Sequence, residues 1–454
     1  PNQNLKFKFN IYNKIVEVFY PEVILAPTTT IRGSISSNNN LFKLTIKSPK
    51  VEAYTNIINE LNLQIDNKNP LFNTQLTIDE IKSDYYDISK LQLVNITLSD
   101  TLYFRTEFDG GKENTEKFDL SFYHTFNKEN KSVFGLQKSN FIYKNNMWVI
   151  NPKNNLKNKV VFDSKTKLYA IDQFLIASKG QKIEFQGTMQ DTISKDFKFN
   201  FQNVKLSNIT PDIDSLSLAG NVNGKLDVLQ KNGSYLPNST IVIDDFKVND
   251  FLLGSFDATV TGNESLTNYS IDATIKNDIT RSFAAKGNIF VSGRRSTIDV
   301  TLDFNAFNLV PLNPLLDGVL SDIRGEANGN VQVVGDLIKP DINGNLIIKN
   351  GGLGIPYLNV DYDFNTNASV SLKDQSFIFD NIRLKDSKYN SEGLLNGSLS
   401  HVNFSNWSLG LNITTPRLLV LDTEESEESL YYGTGFIGGR ASIYGPTEQL
   451  VISV

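Results

Sequence analysis

Apolar and polar residues alternate with period two along almost the whole chain, and no other feature restricts its possible folds so strongly. The clearest runs are Leu5-Phe7-Phe9, Leu102-Phe104, Phe118-Leu120-Phe122, Ile183-Phe185, Phe197-Phe199-Phe201, Tyr269-Ile271-Ala273-Ile275, Ile298-Val300-Leu302-Phe304, Val360-Tyr362-Phe364 and Trp407-Leu409-Leu411-Ile413. Mostly Asp, Asn, Lys, Thr and Ser stand between them. Successive side chains of a strand point to opposite faces, so each run builds one apolar and one wet face. Sheets of that kind are antiparallel or solenoid-like stacks. Helical signals are few: Asn313 to Leu320, with an Asn cap and Pro314 in the first turn, and the short Asn56 to Leu61. A parallel βαβ architecture needs a helix at most crossovers. The expectation is an all-β chain with very little helix, turning at Asp109-Gly110-Gly111, Lys231-Asn232-Gly233 and Asn350-Gly351-Gly352.

The sheet pattern is repeated. Gly220 to Leu229 (GNVNGKLDVL), Gly325 to Gly335 (GEANGNVQVVG) and Gly435 to Gly445 (GFIGGRASIYG) each place two glycines four apart before an alternating apolar strand. Each precedes a proline (Pro237, Pro340, Pro446) and then an apolar run: Ile241-Val242-Ile243, Leu346-Ile347-Ile348 and Leu450-Val451-Ile452. Phe199 to Leu229 aligns without gaps on Phe304 to Val334, 105 residues later, with nine of 31 positions identical. That exceeds the roughly two or three matches expected by chance in so Asn-rich a chain. Phe197-Phe199-Phe201 falls on Trp407-Leu409-Leu411 after a further 105 residues, whereas the Gly435 copy comes five residues late. The acidic run Asp422 to Glu428 reads as the surface-loop insertion behind that delay. The implied organisation is an N-terminal region (residues 1–190) with weak repeats, units 191–295 and 296–400, and a partial unit 401–454. At roughly 10 to 12 residues per strand and turn, a unit would hold about nine strands.

With 40% hydrophobic and 11% aromatic residues the chain can bury a core, and its net charge of −6 over 454 residues argues against nucleic acid as a partner. No stretch approaches 18 consecutive apolar residues, so no transmembrane helix is expected. Val454 falls inside an apolar run, and a longer parent chain is expected. The absence of cysteine removes disulfides and thiolate sites and is a weak pointer to an oxidising compartment.

Catalytic material is sparse. The two histidines, His124 and His401, have no metal-ligand spacing, and His124 continues a strand as an edge or groove-lining residue. Asp244-Asp245 and Asp361-Asp363 have the composition of glycosidase acid pairs and equally that of turn and outer-face residues. Gly433, Gly435 and Gly438 match a nucleotide loop by letter, but Arg440 to Tyr444 continues as a strand where a phosphate loop needs a helix. Asp100-Thr101-Leu102, Asp191-Thr192-Ile193 and Asp214-Ser215-Leu216 resemble short acceptor sites of periplasmic O-glycosylation. No catalytic residue, metal or cofactor is expected.

What remains is the apolar face itself. A sheet folded along its length would enclose that face as a trough suited to acyl chains, each buried CH₂ contributing about 0.8 kcal/mol. A closed solenoid or sandwich with an ordinary core fits the alternation equally well.

The spacing Gly-x-x-x-Gly-x-φ-x-φ-φ-Gly (φ apolar), then Pro, then a strand, resembles the repeats of the TamB family within the AsmA-like superfamily. Leu418-Leu419-Val420-Leu421, Leu430 to Gly435 and Asn146-Met147-Trp148-Val149-Ile150-Asn151-Pro152 resemble phrases of its Bacteroidota branch, and the resemblance covers about residues 100–454. It implies an internal or C-terminal-half fragment of a β-taco: an elongated, open, solenoid-like trough with an apolar interior. It further implies a periplasmic location in a Gram-negative bacterium, an inner-membrane anchor outside this piece, and a TamA- or BamA-like outer-membrane barrel as partner. The expected role is bridge-like phospholipid transfer for outer-membrane biogenesis, without enzymatic activity. On this reading the groove is lined by Phe118, Leu120, Phe122, Phe197, Phe199 and Phe201, by Tyr269, Ile271, Ile275, Ile298, Val300, Leu302 and Phe304, and by Trp407, Leu409 and Leu411. Two alternatives stay open: a scaffold that guides outer-membrane proteins through its sheet edges, and an extracellular β-helix that binds polysaccharide.

Overall fold

The computed structural model describes residues 3–453 except 12, 85, 112, 191–193, 211–215, 231–237, 278–279, 292–294, 317–319, 365–366, 403–404, 426–431 and 448. It divides into two compact units, Pro1–Asn203 with Val228–Gln230, and Val204–Asp227 with Lys231–Val454. Both are built from antiparallel strands, and among the described residues there is one α-helix, α1 (Asn13–Phe19).

The first unit runs β1 (Asn4–Asn10), β2 (Val23–Leu25), β3 (Thr30–Ser36), β4 (Leu41–Ala53), β5 (Asn56–Asp66), β6 (Thr74–Lys82), β7 (Ile88–Leu98), β8 (Thr101–Gly110) and β9 (Glu116–Phe126). It continues with β10 (Ser132–Leu136), β11 (Ser139–Tyr143), β12 (Asn146–Ile150), β13 (Lys159–Asp163), β14 (Leu168–Ser178), β15 (Gln181–Gln190) and β16 (Ser194–Lys205). From β3 to β9 each strand pairs with the next; β9 then takes β10 along one half and β11 along the other. Tight hairpins follow from turn chemistry. Ser99-Asp100 and Lys144-Asn145 carry both central residues at positive φ, as a two-residue turn matched to strand twist requires.

The second unit runs β17 (Leu218–Gln230), β18 (Asn238–Val248), β19 (Phe251–Gly262), β20 (Asn268–Asn277), β21 (Thr280–Phe290), β22 (Thr297–Asn308), β23 (Ser321–Asp336) and β24 (Pro340–Ile355). Then come β25 (Val360–Phe364), β26 (Ala368–Lys373), β27 (Ser376–Asp386), β28 (Glu392–Val402), β29 (Ser405–Thr423), β30 (Gly433–Pro446) and β31 (Val451–Ser453). β24 is long enough to pair with β26 along one half and β25 along the other, and β27 does the same from the far side.

Bulges bend these strands. In β18, β22 and β27 the register shifts after Ile243, Phe304 and Phe379, and the intervening Asp245, Ala306 and Asn381 sit at φ near +50°. Asn350 does so in β24. A bulge inserts an unpaired residue and turns the strand, so a line of them creases the sheet with its apolar face inward. The core of this unit lies inside the crease: Ile348, Val370 and Leu395 on one side meet Val360, Tyr362, Leu384 and Leu418 on the other.

Several local expectations are corrected. Asn56 to Leu61 is strand β5, not helix: it pairs with β4 and β6, and its β-branched Ile57 and Ile58 suit that ladder. The helix expected from Asn313 is a 3₁₀ segment, Val310–Leu316, and Asn313 does not cap it. Its side-chain amide instead bridges the Val310 and Ile323 carbonyls, at 3.0 and 2.9 Å, and accepts the Ile323 N–H at 2.7 Å. Residues 317–319 of that stretch lie outside the described residues. Asn350-Gly351-Gly352 is a bulge within β24 rather than a turn, and among the described residues six strands, not nine, begin within 191–295, where strands reach 12 to 13 residues. The pattern also missed α1, whose seven residues span too few turns to establish a helical period. Lys231-Asn232-Gly233, Asp191-Thr192-Ile193, Asp214-Ser215, Pro237 and Ser426 to Glu428 of the acidic run lie outside the described residues.

Candidate apolar-face site

In the second unit one cross-strand row can be followed through fourteen strands. It reads Val222, Ile243, Phe256, Ile275, Phe283, Phe304, Gly329, Leu346, Val370, Phe379, Gly397, Leu411, Ile443, Ile452, each residue opposite the next. Only glycines interrupt the apolar side chains. Two residues along each strand, on the same face, a second row reads Ile241, Ala258, Ala273, Ala285, Leu302, Val331, Gly344, Leu372, Phe377, Leu399, Leu409. Ile271, Val300 and Val333 belong to a third, and Tyr269, Ile289 and Ile298 to a fourth. Tyr269, Ile271, Ile275, Ile298, Val300, Leu302, Phe304, Leu409 and Leu411 therefore share one face. Trp407 joins them, its ring 4.9 Å from His401 and 6.3 Å from Phe377.

The glycines in these rows are required by close approach. A Cβ on Gly329 would lie 2.2 Å from the Asn345 carbonyl oxygen, and one on Gly397 2.0 Å from that of Gly410. Gly220 and Gly325, equivalent in the sequence repeat, both take positive φ beside bulges, against Asp244 in one case and Lys349 in the other.

The first unit has its own face. Phe9, Ile31, Ile46, Leu63, Leu76, Leu93, Thr106 and Leu120 form one row, with Phe104 and Phe122 in the next. Phe108, Phe118, Phe141 and Trp148 stack with ring planes within 13° of parallel and centroids 4.5, 5.7 and 6.4 Å apart. Phe197, Phe199 and Phe201 sit opposite Gly187, Phe185 and Ile183. Burial is uneven: Val300, Ile275 and Trp148 are buried, while Phe118, Phe199, Leu302, Phe304 and Leu409 keep some of their surface exposed.

The sixteen groove candidates thus lie on apolar faces, divided between two units. Missing from that set were Phe256, Phe283, Val370 and Phe379, which occupy the same row as Phe304. A register argument across the bulges would have found them; alternation within a single run does not reach past a bulge.

Asp361, Asp363 and both histidines have structural partners. Asp361 and Asp363 are both held by Arg324: two of its nitrogens reach Asp361 at 2.7 and 2.9 Å, and Nε reaches Asp363 at 3.1 Å. These hydrogen bonds, first to Asp361, raise the Arg324 pKa further above its ordinary value. His124 lies 2.7 Å from the Ser132 hydroxyl and packs edge-on against Phe126. His401 is buried against Phe377 and Trp407, and burial pushes its pKa down. Gly433 to Pro446 is the single strand β30, so the three glycines there open no phosphate loop. Among the described residues no group of three or more His, Cys, Asp or Glu could hold a metal ion, and no helix is long and apolar enough to cross a membrane.

A search of curated proteins found no match, and neither did a search of solved structures. The family model described as TamB, N-terminal domain, matches residues 117–348, just over half of the chain. That span begins at the start of β9, takes in the Gly220 and Gly325 repeats, and ends at Ile348 in β24, so it covers the second unit's apolar row from Val222 to Leu346 and stops before its continuation through β26 to β31. With this match over more than half of its length, the chain belongs to the TamB family.

Proposed function

We propose that the apolar faces hold the acyl chains of phospholipids and let them slide from strand to strand, in a chain that works in the periplasm during outer-membrane biogenesis. The observation that carries this reading is the unbroken row from Val222 to Ile452. An acyl chain needs apolar contact at every step of its path, since each exposed CH₂ costs about 0.8 kcal/mol. Partly exposed Phe304 and Leu302 leave apolar surface for such a ligand. The glycines within the row add no polar side chain to the path. On this reading the protein has no catalytic residue, and its working partners are phospholipids and an outer-membrane barrel of the TamA or BamA type.

The test is photo-crosslinking in the cell envelope. Benzoylphenylalanine replaces Phe256 or Phe199 on the apolar face, or Lys286 on the opposite face, in separate variants. Phospholipid adducts at Phe256 and Phe199 and none at Lys286 support the proposal. Adducts made only of nascent outer-membrane protein would replace it by the scaffold reading, and equal lipid labelling at Lys286 would remove it.

A further inference from the structure

The apolar face of the second unit changes character between β22 and β24. Along β19 to β22 Phe256, Ile271, Ile298 and Leu302 keep part of their surface exposed, beside the buried Ala273, Ile275 and Val300. At β24 to β30 the protein fills the face with its own residues: Tyr362, Leu384, Leu418 and Leu419 are each at most 3% exposed. Leu418 and Leu419 reach that position because β29 outruns its partner. Its last pair with β28 is Arg417 opposite Glu392; beyond the bulge at Thr415 to Leu418 it pairs with β30.

This overhanging ribbon, Leu418–Thr423 with Gly433–Ile437, is tied down by polar bonds. The Tyr362 hydroxyl donates to the Leu419 carbonyl at 2.6 Å, and the Asn359 side-chain amide donates to the Asp422 carbonyl at 2.6 Å. The Leu419 N–H donates to the Ser391 hydroxyl at 2.8 Å, and Lys388 pairs with the Asp422 carboxylate. Arg417 lies over the Phe436 ring at 3.9 Å. These bonds join β25 and the 387–391 hairpin turn to residues some 30 to 60 positions away, and most are single hydrogen bonds. Each such bond contributes about 0.5–1.5 kcal/mol net and the burial of Leu418 and Leu419 about 1.5–3 kcal/mol each, so the ribbon is held by a few local contacts and not by pairing with β28.

We propose that this ribbon is a clasp: it seals the apolar face at β24 to β29 and must lift before an acyl chain can pass from the β19–β22 stretch into it. The proposal rests on the acyl-chain reading above and adds a closed state to it. Lifting the ribbon withdraws Leu418 and Leu419 from Tyr362 and Leu384, and an acyl chain of similar width replaces them. The exchange of one apolar filler for another keeps the face covered throughout.

The experiment uses the full chain. Benzoylphenylalanine is placed at Phe256, outside the clasp, or at Phe364, beneath it. Each probe is combined with the native clasp or with Tyr362→Phe plus Asn359→Ala. Irradiation takes place with phosphatidylethanolamine–phosphatidylglycerol vesicles, and hydrogen exchange of residues 418–423 is followed in parallel. The expected result is lipid labelling at Phe256 in both backgrounds. At Phe364 it should be weak with the native clasp and at least about five-fold stronger in the double variant. Exchange of 418–423 should rise about ten-fold, with 344–348 unchanged. Equal labelling of Phe364 in both backgrounds, or exchange that rises together in both segments, overturns the clasp. If Phe256 itself takes no lipid, the acyl-chain reading fails, and the exchange data alone still decide whether the ribbon opens independently.

Discussion

At the scale of single residues, backbone approach governs more of this protein than side-chain chemistry. Gly329 has φ +141°, and an added Cβ would stand 2.2 Å from a carbonyl oxygen of the neighbouring strand. Gly329→Ala should therefore destabilise the second unit by about 2–4 kcal/mol, read as a lowered urea midpoint. Gly410→Ala, where the nearest atom is 3.7 Å away, should change it by under about 0.5 kcal/mol. His401 offers a second test. Burial lowers its folded-state pKa, so the unfolded chain binds the proton more readily. Stability is then complete above the ordinary histidine value of about 6.5 and falls as pH drops below it. His401→Phe, keeping the contacts with Phe377 and Trp407, should flatten thermal stability between about pH 6.5 and 5. An unchanged pH profile would remove His401 as its source.

At the scale of elements, the bulges decide where each strand turns. Asn381 sits at φ +53° between Phe379 and Ile382, a conformation that costs a β-branched residue about 1–2 kcal/mol and glycine nothing. Asn381→Val should lower the melting temperature by several degrees while Asn381→Gly leaves it nearly unchanged; equal effects would mean the crease is not held by backbone conformation. Element type was legible from alternation nearly everywhere. Where it failed, at Asn56 to Leu61 and at Asn313, the failure had a cause. Local capping chemistry and short apolar runs are ambiguous between helix and strand. The pairing of β5 with its neighbours β4 and β6 settled the first case, and the Ile323 N–H bonded to the Asn313 side chain the second. The glycine repeat was legible for a related reason. Gly220, Gly224, Gly325 and Gly329 all stand at positive φ against a neighbouring strand, and that backbone position tolerates little else.

At the scale of the molecule, strands that bond chiefly to their sequence neighbours make stability local. Leu302→Asp puts a charge on the apolar face opposite Val331 and Ala285. It should abolish lipid labelling at Phe256 and expose β21 to β23 to exchange, while β5 to β8 of the first unit keep their protection. Loss of protection across both units would mean a single cooperative fold instead.

The period of the apolar residues determined by itself that this chain is all-β, and it determined which residues share a face within each run, because a strand's side chains alternate by covalent geometry alone. It could not carry that face across Asp245, Ala306 or Asn381, since an inserted residue resets the phase and only the partner strand restores it. Nor could it say where the face is open and where it is filled. Leu418 and Leu419 look like any apolar pair in sequence. Their burial against Tyr362 depends on β29 outrunning β28, a matter of relative strand length and long-range register that only the tertiary structure decides.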